Sequence, residues 1–390
     1  MKILEAIRTV DPLSGGPAEG LAQSSRAIAQ MGHTIDVVSL DGPGAACLKD
    51  FPATVYALGP CLGKYGYTPR LVPWLVHNAP RYDALIVDGL WQFTGPAVRT
   101  AARKTGVPYF VYAHGMLSPW FKKNYPLKHA KKWLYWPWAE YRVLRDAAAV
   151  LFASQDELSA ARQSFGLYKC NEALAGYGTS LPPQDKDRKI RLFHDAFPGL
   201  KNKKIILFFG RITEKKGVDI LIEAFARVFG YDDDRHLVLA GPYETRYRRR
   251  LDKLAGRLGI GARISWPGPM TDEHKWTAFH AAEAFALFSH QESFGVSLAE
   301  ALGCGLPVLI SDKIDTCRRV SAYNAGLVCA DTVGDAASAL SAWKRLSRDE
   351  KKAMSENAKR CFEYFDVTAS SEKLIDIISS TLKGRYPRYA

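Results

Sequence analysis

Short, nearly unbroken apolar runs alternate with stretches whose apolar residues recur at helical spacing along most of this chain. Lys2–Ile7 is the first such run, followed by the glycine turn Ser14-Gly15-Gly16-Pro17. Glu19–Met31 then carries Leu21, Ile28 and Met31 on one helical face, which predicts an amphipathic helix closed by Gly32. Thr34–Leu40 reads as a second strand, bounded by Asp41-Gly42-Pro43-Gly44. Ala84–Val87, Pro108–Ala113 and Ala147–Phe152 continue the series. Strands that are apolar on both faces, each followed by a helix, predict a parallel sheet covered on both sides.

The rhythm lapses between Leu181-Pro182-Pro183 and Lys201-Asn202-Lys203-Lys204, where proline and charge take over. That stretch reads as a linker with a lead-in helix. A second series follows: strands at Lys204–Phe209, His236–Ala240, Ile264–Trp266, Phe285–Ser289 and Pro307–Ile310, with helices such as Asp219–Phe229 and Arg246–Leu258 between them. The fold class is therefore α/β, with two doubly wound halves, the first over 1–183 and the second over 184–365. Sheets of this kind bind ligands beyond the carboxyl ends of their strands. An amphipathic tail helix, Asp366–Leu382, opens the last segment, 366–390.

Composition narrows the partners. Hydrophobic residues at 47% and charged residues at 24% fit a globular chain. No apolar run reaches the length of a membrane span, and the opening residues, interrupted by Glu5 and Arg8, do not read as a signal peptide. Residence in the cytoplasm is the expectation. The seven cysteines lack a CxxC pair, which argues against a disulfide framework or a zinc site. Cys304 and Cys329 read as small core residues. Lys plus Arg (53) outnumber Asp plus Glu (40), and the net charge of +13 makes nucleic acid, an anionic membrane surface and phosphorylated small molecules candidate partners, among which composition does not choose.

Two segments carry chemistry. The first runs from Ser289 to Val308 and reads as strand, tight loop, helix, glycine stop and strand. Where the loop enters the helix, at Phe294, Gly295, Val296 and Ser297, unpaired backbone N–H groups and the positive helix end make a seat for a diphosphate. Ser293 sits in the same loop, and Gly295 lets the backbone approach closely. Glu292 and Glu300 flank this seat with seven residues between them. Too far apart for a local acid/base dyad, they suit two ends of an extended ligand, accepting from sugar hydroxyls and a ribose diol. In the second segment, Phe208–Asp219, a strand ends at Gly210 and Arg211 and Lys216 flank the turn into a helix. Cations there would neutralise a departing diphosphate.

Together these segments resemble the E-x7-E and G-R-x-x-x-x-K-G signatures of the retaining GT-B glycosyltransferases of family 4, also called glycosyl transferases group 1. The resemblance extends to Gly15-Gly16 and to Ala113-His114-Gly115. It implies two Rossmann-like domains, the first binding acceptor and the second nucleotide sugar, with a closing helix that crosses back to the first. It implies further that Arg211 and Lys216 bind the donor phosphates, Glu300 the ribose and Glu292 the transferred sugar. By the same match His114 lies against the sugar's far hydroxyls, Gly16 meets phosphate, and the base rests on the turn holding Pro269 and Met270. The implied reaction moves a hexose from a nucleotide-diphosphate sugar, UDP before GDP, onto a glycan or lipid-pyrophosphate-linked acceptor in polysaccharide or glycolipid synthesis. It proceeds with retention, and it needs no metal and no cofactor.

The chain departs from the family pattern at Glu292-Ser293-Phe294-Gly295, where Glu-Gly-Phe-Gly is usual. Gly176-Tyr177-Gly178-Thr179 stands where many relatives have Pro-Asn-Gly, and Ala240-Gly241-Pro242-Tyr243 where many have Val-Gly-x-Gly. Asp88, ending a strand, is a candidate for the acceptor side. Asp232-Asp233-Asp234 would suit a metal, but its place between a helix and a strand reads as a solvated loop. Residues 120–145 interleave Lys122, Lys123, Lys128, Lys131, Lys132, Arg142 and Arg145 with Trp120, Trp133, Trp136 and Trp138. That mixture makes an anionic membrane surface a candidate partner and peripheral attachment at the inner face of the membrane an expectation. A basic face over a tryptophan-containing core is the rival reading. No nucleic-acid-binding module is recognisable. The competing functions are a nucleotide-sugar 2-epimerase of the same architecture and a non-catalytic membrane-bound scaffold. A nicotinamide enzyme would want G-x-G-x-x-G in the first turn, which Ser14–Gly20 does not supply.

Overall fold

The computed structural model of the protein describes residues 1–270 and 272–384. Two units divide it, one made of residues 1–179 with the chain from Val367 onward, the other of Ser180–Asp366. The sequence reading places the joins at 183/184 and 365/366. The last six residues of the segment 366–390 lie outside the described residues.

The first unit holds seven parallel strands: β1 (Lys2–Ala6), β2 (Thr34–Ser39), β3 (Thr54–Ala57), β4 (Ala84–Asp88), β5 (Tyr109–Tyr112), β6 (Ala149–Phe152) and β7 (Glu172–Leu174). Their spatial order is β3-β2-β1-β4-β5-β6-β7. β4, β5 and β6 are buried along their whole length, as unbroken apolar runs require. The short edge strands β3 and β7 went unread, because neither carries a long apolar run. One face of the sheet packs Ile3, Ile86 and Phe110 against Leu21 and Ile28 of the helix Gly16–Gln30 and Leu374 and Ile378 of the helix Val367–Leu382. The closing helix is thus part of the first unit's core. On the other face Leu4, Leu85 and Val111 pack with Val98 and Ala101 of the helix Thr94–Thr105.

The second unit holds six parallel strands: β8 (Lys204–Phe209), β9 (Arg235–Ala240), β10 (Ile264–Gly268), β11 (Ala284–Leu287), β12 (Val308–Ser311) and β13 (Gly326–Cys329). Their order is β10-β9-β8-β11-β12-β13. The edge strand β13, half-buried throughout, was also unread. In both sheets the direction of winding reverses between the first strand and the fourth, which opens a crevice at their carboxyl ends. The segments after β8 and β11 leave from that point in the second unit, and Asp88 ends β4 there in the first. Cys304 and Cys329 are half-exposed free thiols rather than core residues. Cys304 ends a helix and Cys329 ends an edge strand, and neither place is fully covered.

Candidate functional site

The second unit gathers its predicted residues at the carboxyl ends of β8, β10 and β11. Gly241 has a positive φ, and a Cβ on it would stand 2.0 Å from the Gly210 carbonyl oxygen. The strand ends therefore touch backbone to backbone, which only glycine permits. Gly217 does the same after the turn: its φ is +62°, and a Cβ would meet the Phe288 carbonyl oxygen at 2.0 Å. This contact draws the Lys215-Lys216 turn onto the segment that follows β11, and the His290 N–H donates to the Lys215 carbonyl at 2.9 Å.

Lys216 forms an ion pair with Glu292. Glu292 is fixed from the other side by its own backbone, whose N–H donates to Lys313 and whose carbonyl accepts from Asp315. Burial pushes the Glu292 carboxyl up, but Lys216, Lys215 and Arg211 together outweigh it and hold it below the ordinary glutamate value. Burial pulls the Lys215 ammonium down, against the attraction of Glu292. Three cations thus surround one carboxylate, with Arg211 exposed to solvent. The turn concentrates positive charge around Glu292.

The helix Val296–Gly303 begins beside it. Gly295 caps the helix at φ +77°, and no acidic residue occupies the first turn. Its first N–H groups lack intrahelical partners by geometry. Ser297 Oγ lies 3.9 Å from where a Cβ on Gly210 would stand, which puts the helix start at the end of β8. Phe294 is buried against Phe365 with ring centroids 5.5 Å apart, and Thr316 donates to its carbonyl at 3.3 Å. Ser293, the residue that replaces the family's glycine, is buried and accepts from Gln291 at 3.1 Å.

Glu300 is only 3% exposed, and Lys275 of the helix Asp272–Ala281 reaches its Oε1 at 2.7 Å. Sequence reasoning missed Lys275, because the two residues meet across 25 positions and its helix shows no clear apolar face. Pro269 is exposed and Met270 half-buried, directly after β10. Beside them the Gly241 N–H donates to the Gly268 carbonyl at 2.8 Å. Asp232 lies before β9, at the opposite edge of the sheet, and pairs with Arg235 and Lys344. Among the described residues no group of three or more His, Cys, Asp or Glu side chains is placed to hold a metal ion.

In the first unit, Gly15 (φ +110°) caps the helix that Gly16 begins. His114, directly after β5, has φ +47°, a conformation that costs a non-glycine residue about 1–3 kcal/mol. Several contacts hold it there. Its ring stacks on Tyr112 at 5.3 Å and meets Tyr177 edge-on at 5.4 Å, and its Nε2 pairs with Asp88. Asp88, read from the sequence as a candidate for the acceptor side, is thus occupied with His114. Burial lowers the His114 pKa, but Asp88 and then Glu157 raise it more, so the imidazole stays protonated above its ordinary range. Glu157, also missed, accepts from the N–H groups of Gly115 at 2.5 Å and Ala153 at 2.8 Å and so pins the His114 loop. Tyr177, from the segment that departs from the family pattern, lies where a Cβ on Gly20 would be 1.8 Å from its hydroxyl oxygen.

Two family matches cover most of the chain. Residues 191–361 match the glycosyl transferases group 1 family, and residues 15–171 match the glycosyl transferase 4-like domain. The chain belongs to the glycosyl transferases group 1 family. It is 29% identical over 249 residues to the D-inositol 3-phosphate glycosyltransferase of Rhodococcus erythropolis. That match spans 60% of the chain and 54% of the relative, so the chain spans about half the length of this curated relative. Among solved structures it resembles Anabaena HepE in complex with UDP and glucose, at a TM-score of 0.78 and 21% identity, covering 97% of this chain and 100% of that one. It also resembles the sucrose-phosphate synthase of Thermosynechococcus elongatus at 0.78 and 18% identity, covering 98% and 99%. The fold is accordingly GT-B, built from two Rossmann-like units.

The basic aromatic segment of this glycosyltransferase divides in two. Trp136 is fully buried, stacked on Phe165 at 4.2 Å. Lys132 turns inward over the Trp91 ring at 4.3 Å, where burial lowers it to about 8. Leu127 (82% exposed), Leu134 (79%) and Trp138 (72%) face outward with Lys123, Lys128 and Lys131. Among the described residues no helix is long and apolar enough to cross a membrane.

Proposed function

We propose that this glycosyltransferase moves a hexose from UDP to a hydroxyl of a glycan or lipid-pyrophosphate-linked acceptor, with retention of anomeric configuration and without a metal ion. The observation that carries the reading is the cluster of Arg211, Lys215 and Lys216 around Glu292 beside the start of the Val296–Gly303 helix. Those cations and the helix N–H groups neutralise a diphosphate, which is the charge a divalent metal would otherwise meet. Glu292 accepts from the sugar hydroxyls and Glu300, held by Lys275, from the ribose diol. UDP is preferred because HepE is described with UDP and glucose.

In the reaction proposed, the bond between the anomeric carbon and the diphosphate oxygen breaks as the acceptor oxygen bonds to the same face. The acceptor's proton passes to the departing phosphate oxygen, and the cations stabilise the charge left there. His114, protonated by its pairing with Asp88, donates to the sugar. No side chain serves as a covalent nucleophile.

The outward face of 120–145 supports contact with an anionic lipid surface at the inner face of the membrane. Residues 114–139 contain no Asp or Glu, and exposed leucines and a tryptophan alternate with lysines there. That placement suits an acceptor carried on a lipid.

Calorimetric titration with UDP, GDP and ADP in the presence of EDTA tests the donor assignment. UDP binds most tightly if the reading holds. If no nucleotide binds, with or without magnesium, the reading fails.

A further inference from the structure

Beneath His114 the first unit holds a partly open cavity of about 20 Å³, large enough for one water molecule. Glu5, Asp88, Tyr112, Tyr177, Ser24 and Ser371 line it. The sheet register explains why two carboxyls meet there. Glu5 of β1 pairs with Ile86 of β4, and Asp88, two residues further along β4, pairs with Tyr112 of β5. Residues two apart share a face, so Glu5 and Asp88 are diagonal neighbours on adjacent strands, under the Gly16–Gln30 and Val367–Leu382 helices. Both are 4% exposed. Ser371 Oγ, also buried, has no hydrogen-bond partner among the described residues, a gap that one water would fill.

The charges decide the protonation. Around the cavity the titratable groups are Glu5, Asp88, Tyr112, His114 and Tyr177, with Glu19 and Glu157 beyond them. The Val367–Leu382 helix contributes serines, and no lysine or arginine lines the space. One imidazolium therefore faces two buried carboxyls. Ionising both would leave an uncompensated negative charge in a low-dielectric site, which proteins avoid by keeping one proton. Asp88 bonds directly to His114 and takes the charge. Glu5 keeps the proton, in keeping with a pKa driven up by burial and then by Asp88.

We propose that Glu5 is a positioning residue: neutral, it donates through one buried water to Asp88 and Ser371 and so fixes the ionised Asp88 that orients and charges His114. The inference rests on the transferase reading only for its kinetic consequence, since the proton count belongs to the first unit alone.

The test follows the His114 imidazole by NMR titration in the full chain, wild type against Glu5→Gln and Glu5→Leu, with turnover read as UDP release from its sugar conjugate. Glu5→Gln preserves a neutral hydrogen-bonding group, so the His114 pKa stays within about 0.3 units of wild type. Glu5→Leu removes the donor, and kcat falls about tenfold with donor KM little changed, while Glu5→Gln retains most of kcat. A drop of about one unit in the His114 pKa on Glu5→Gln means that Glu5 is ionised in the native protein and overturns the proposal. So does a Glu5→Leu enzyme as active as Glu5→Gln. If Glu5→Leu does not fold, the Glu5→Gln titration decides alone. Wild-type protein that fails to bind UDP overturns the donor assignment and leaves the titration readable.

Discussion

Replacing Lys275 by methionine isolates the contact that the sequence hid. Lys275 Nζ lies 2.7 Å from Glu300 Oε1, with side chains 11% and 3% exposed. Removing one partner of a buried pair weakens the compensation of the other charge, at a cost of up to about 3–5 kcal/mol in stability. Glu300 escapes most of that cost by taking up a proton. A protonated carboxyl is a poorer acceptor, so a ribose diol loses a charge-assisted hydrogen bond worth about 1.5–3 kcal/mol. That corresponds to a UDP affinity about 10–150-fold weaker.

The assay is a cycle of four calorimetric titrations, wild type and Lys275→Met against UDP and 2′,3′-dideoxy-UDP. In the wild type, loss of the diol weakens binding by the full amount. In the variant, UDP and its dideoxy analogue bind with nearly equal, weak affinity, because the diol's acceptor is already impaired. The double variant Lys275→Met/Glu300→Gln recovers thermal stability without recovering UDP affinity, since it removes both charges together. Loss of the diol weakening both proteins equally would refute the coupling. Undiminished UDP binding by Lys275→Met would refute the ribose role of Glu300 as well.

Four further outcomes follow from the geometry. Gly241→Ala forces a Cβ against the Gly210 carbonyl at φ +137° and destabilises by about 2–5 kcal/mol in urea melts. Gly42→Ala, with nothing within 4 Å of the added methyl, stays within about 1 kcal/mol of wild type. Lys216→Ala weakens UDP binding at least tenfold with the fold retained by circular dichroism, because a cation proposed to meet the donor phosphates is lost. Asp88→Asn carries a pH signature. The His114 pKa is raised in the folded chain, so the pairing stabilises fully below the unfolded histidine value near 6.5 and fades as pH rises through the folded value. The variant is accordingly destabilised by about 1–3 kcal/mol at pH 6 and by much less at pH 9, where equal losses at both pH values would contradict the pairing.

What could be read in advance was whatever the chain states locally. The paired signatures are legible because each uses backbone conformation within a single turn: Gly217 and Gly295 mark positive φ, and the cations and carboxylates sit at fixed offsets from them. The buried strands β4, β5, β6, β11 and β12 are legible because both faces are covered and every residue is apolar or nearly so. Edge strands β3, β7 and β13 are short and partly wet, so their patterns do not rise above those of loops.

The site's supporting residues are different in kind. Lys275 meets Glu300, Glu157 meets Gly115 and Tyr177 covers Gly20 only after the helices and sheets have assembled. Nothing at their own positions announces a partner. Glu5 comes closest to a signal, as the one acid in Lys2–Ala6, a strand whose other buried residues are apolar. A solitary carboxyl there is costly unless a proton or a cation accompanies it. In the sequence alone Glu5 only interrupts the opening apolar run. The topology supplies the reason to look again, because the β1–β4 register sets Glu5 beside Asp88 and thereby beneath His114. In this chain the residues proposed to touch the donor are visible from spacing, and the residues that set their charge and posture become visible from register.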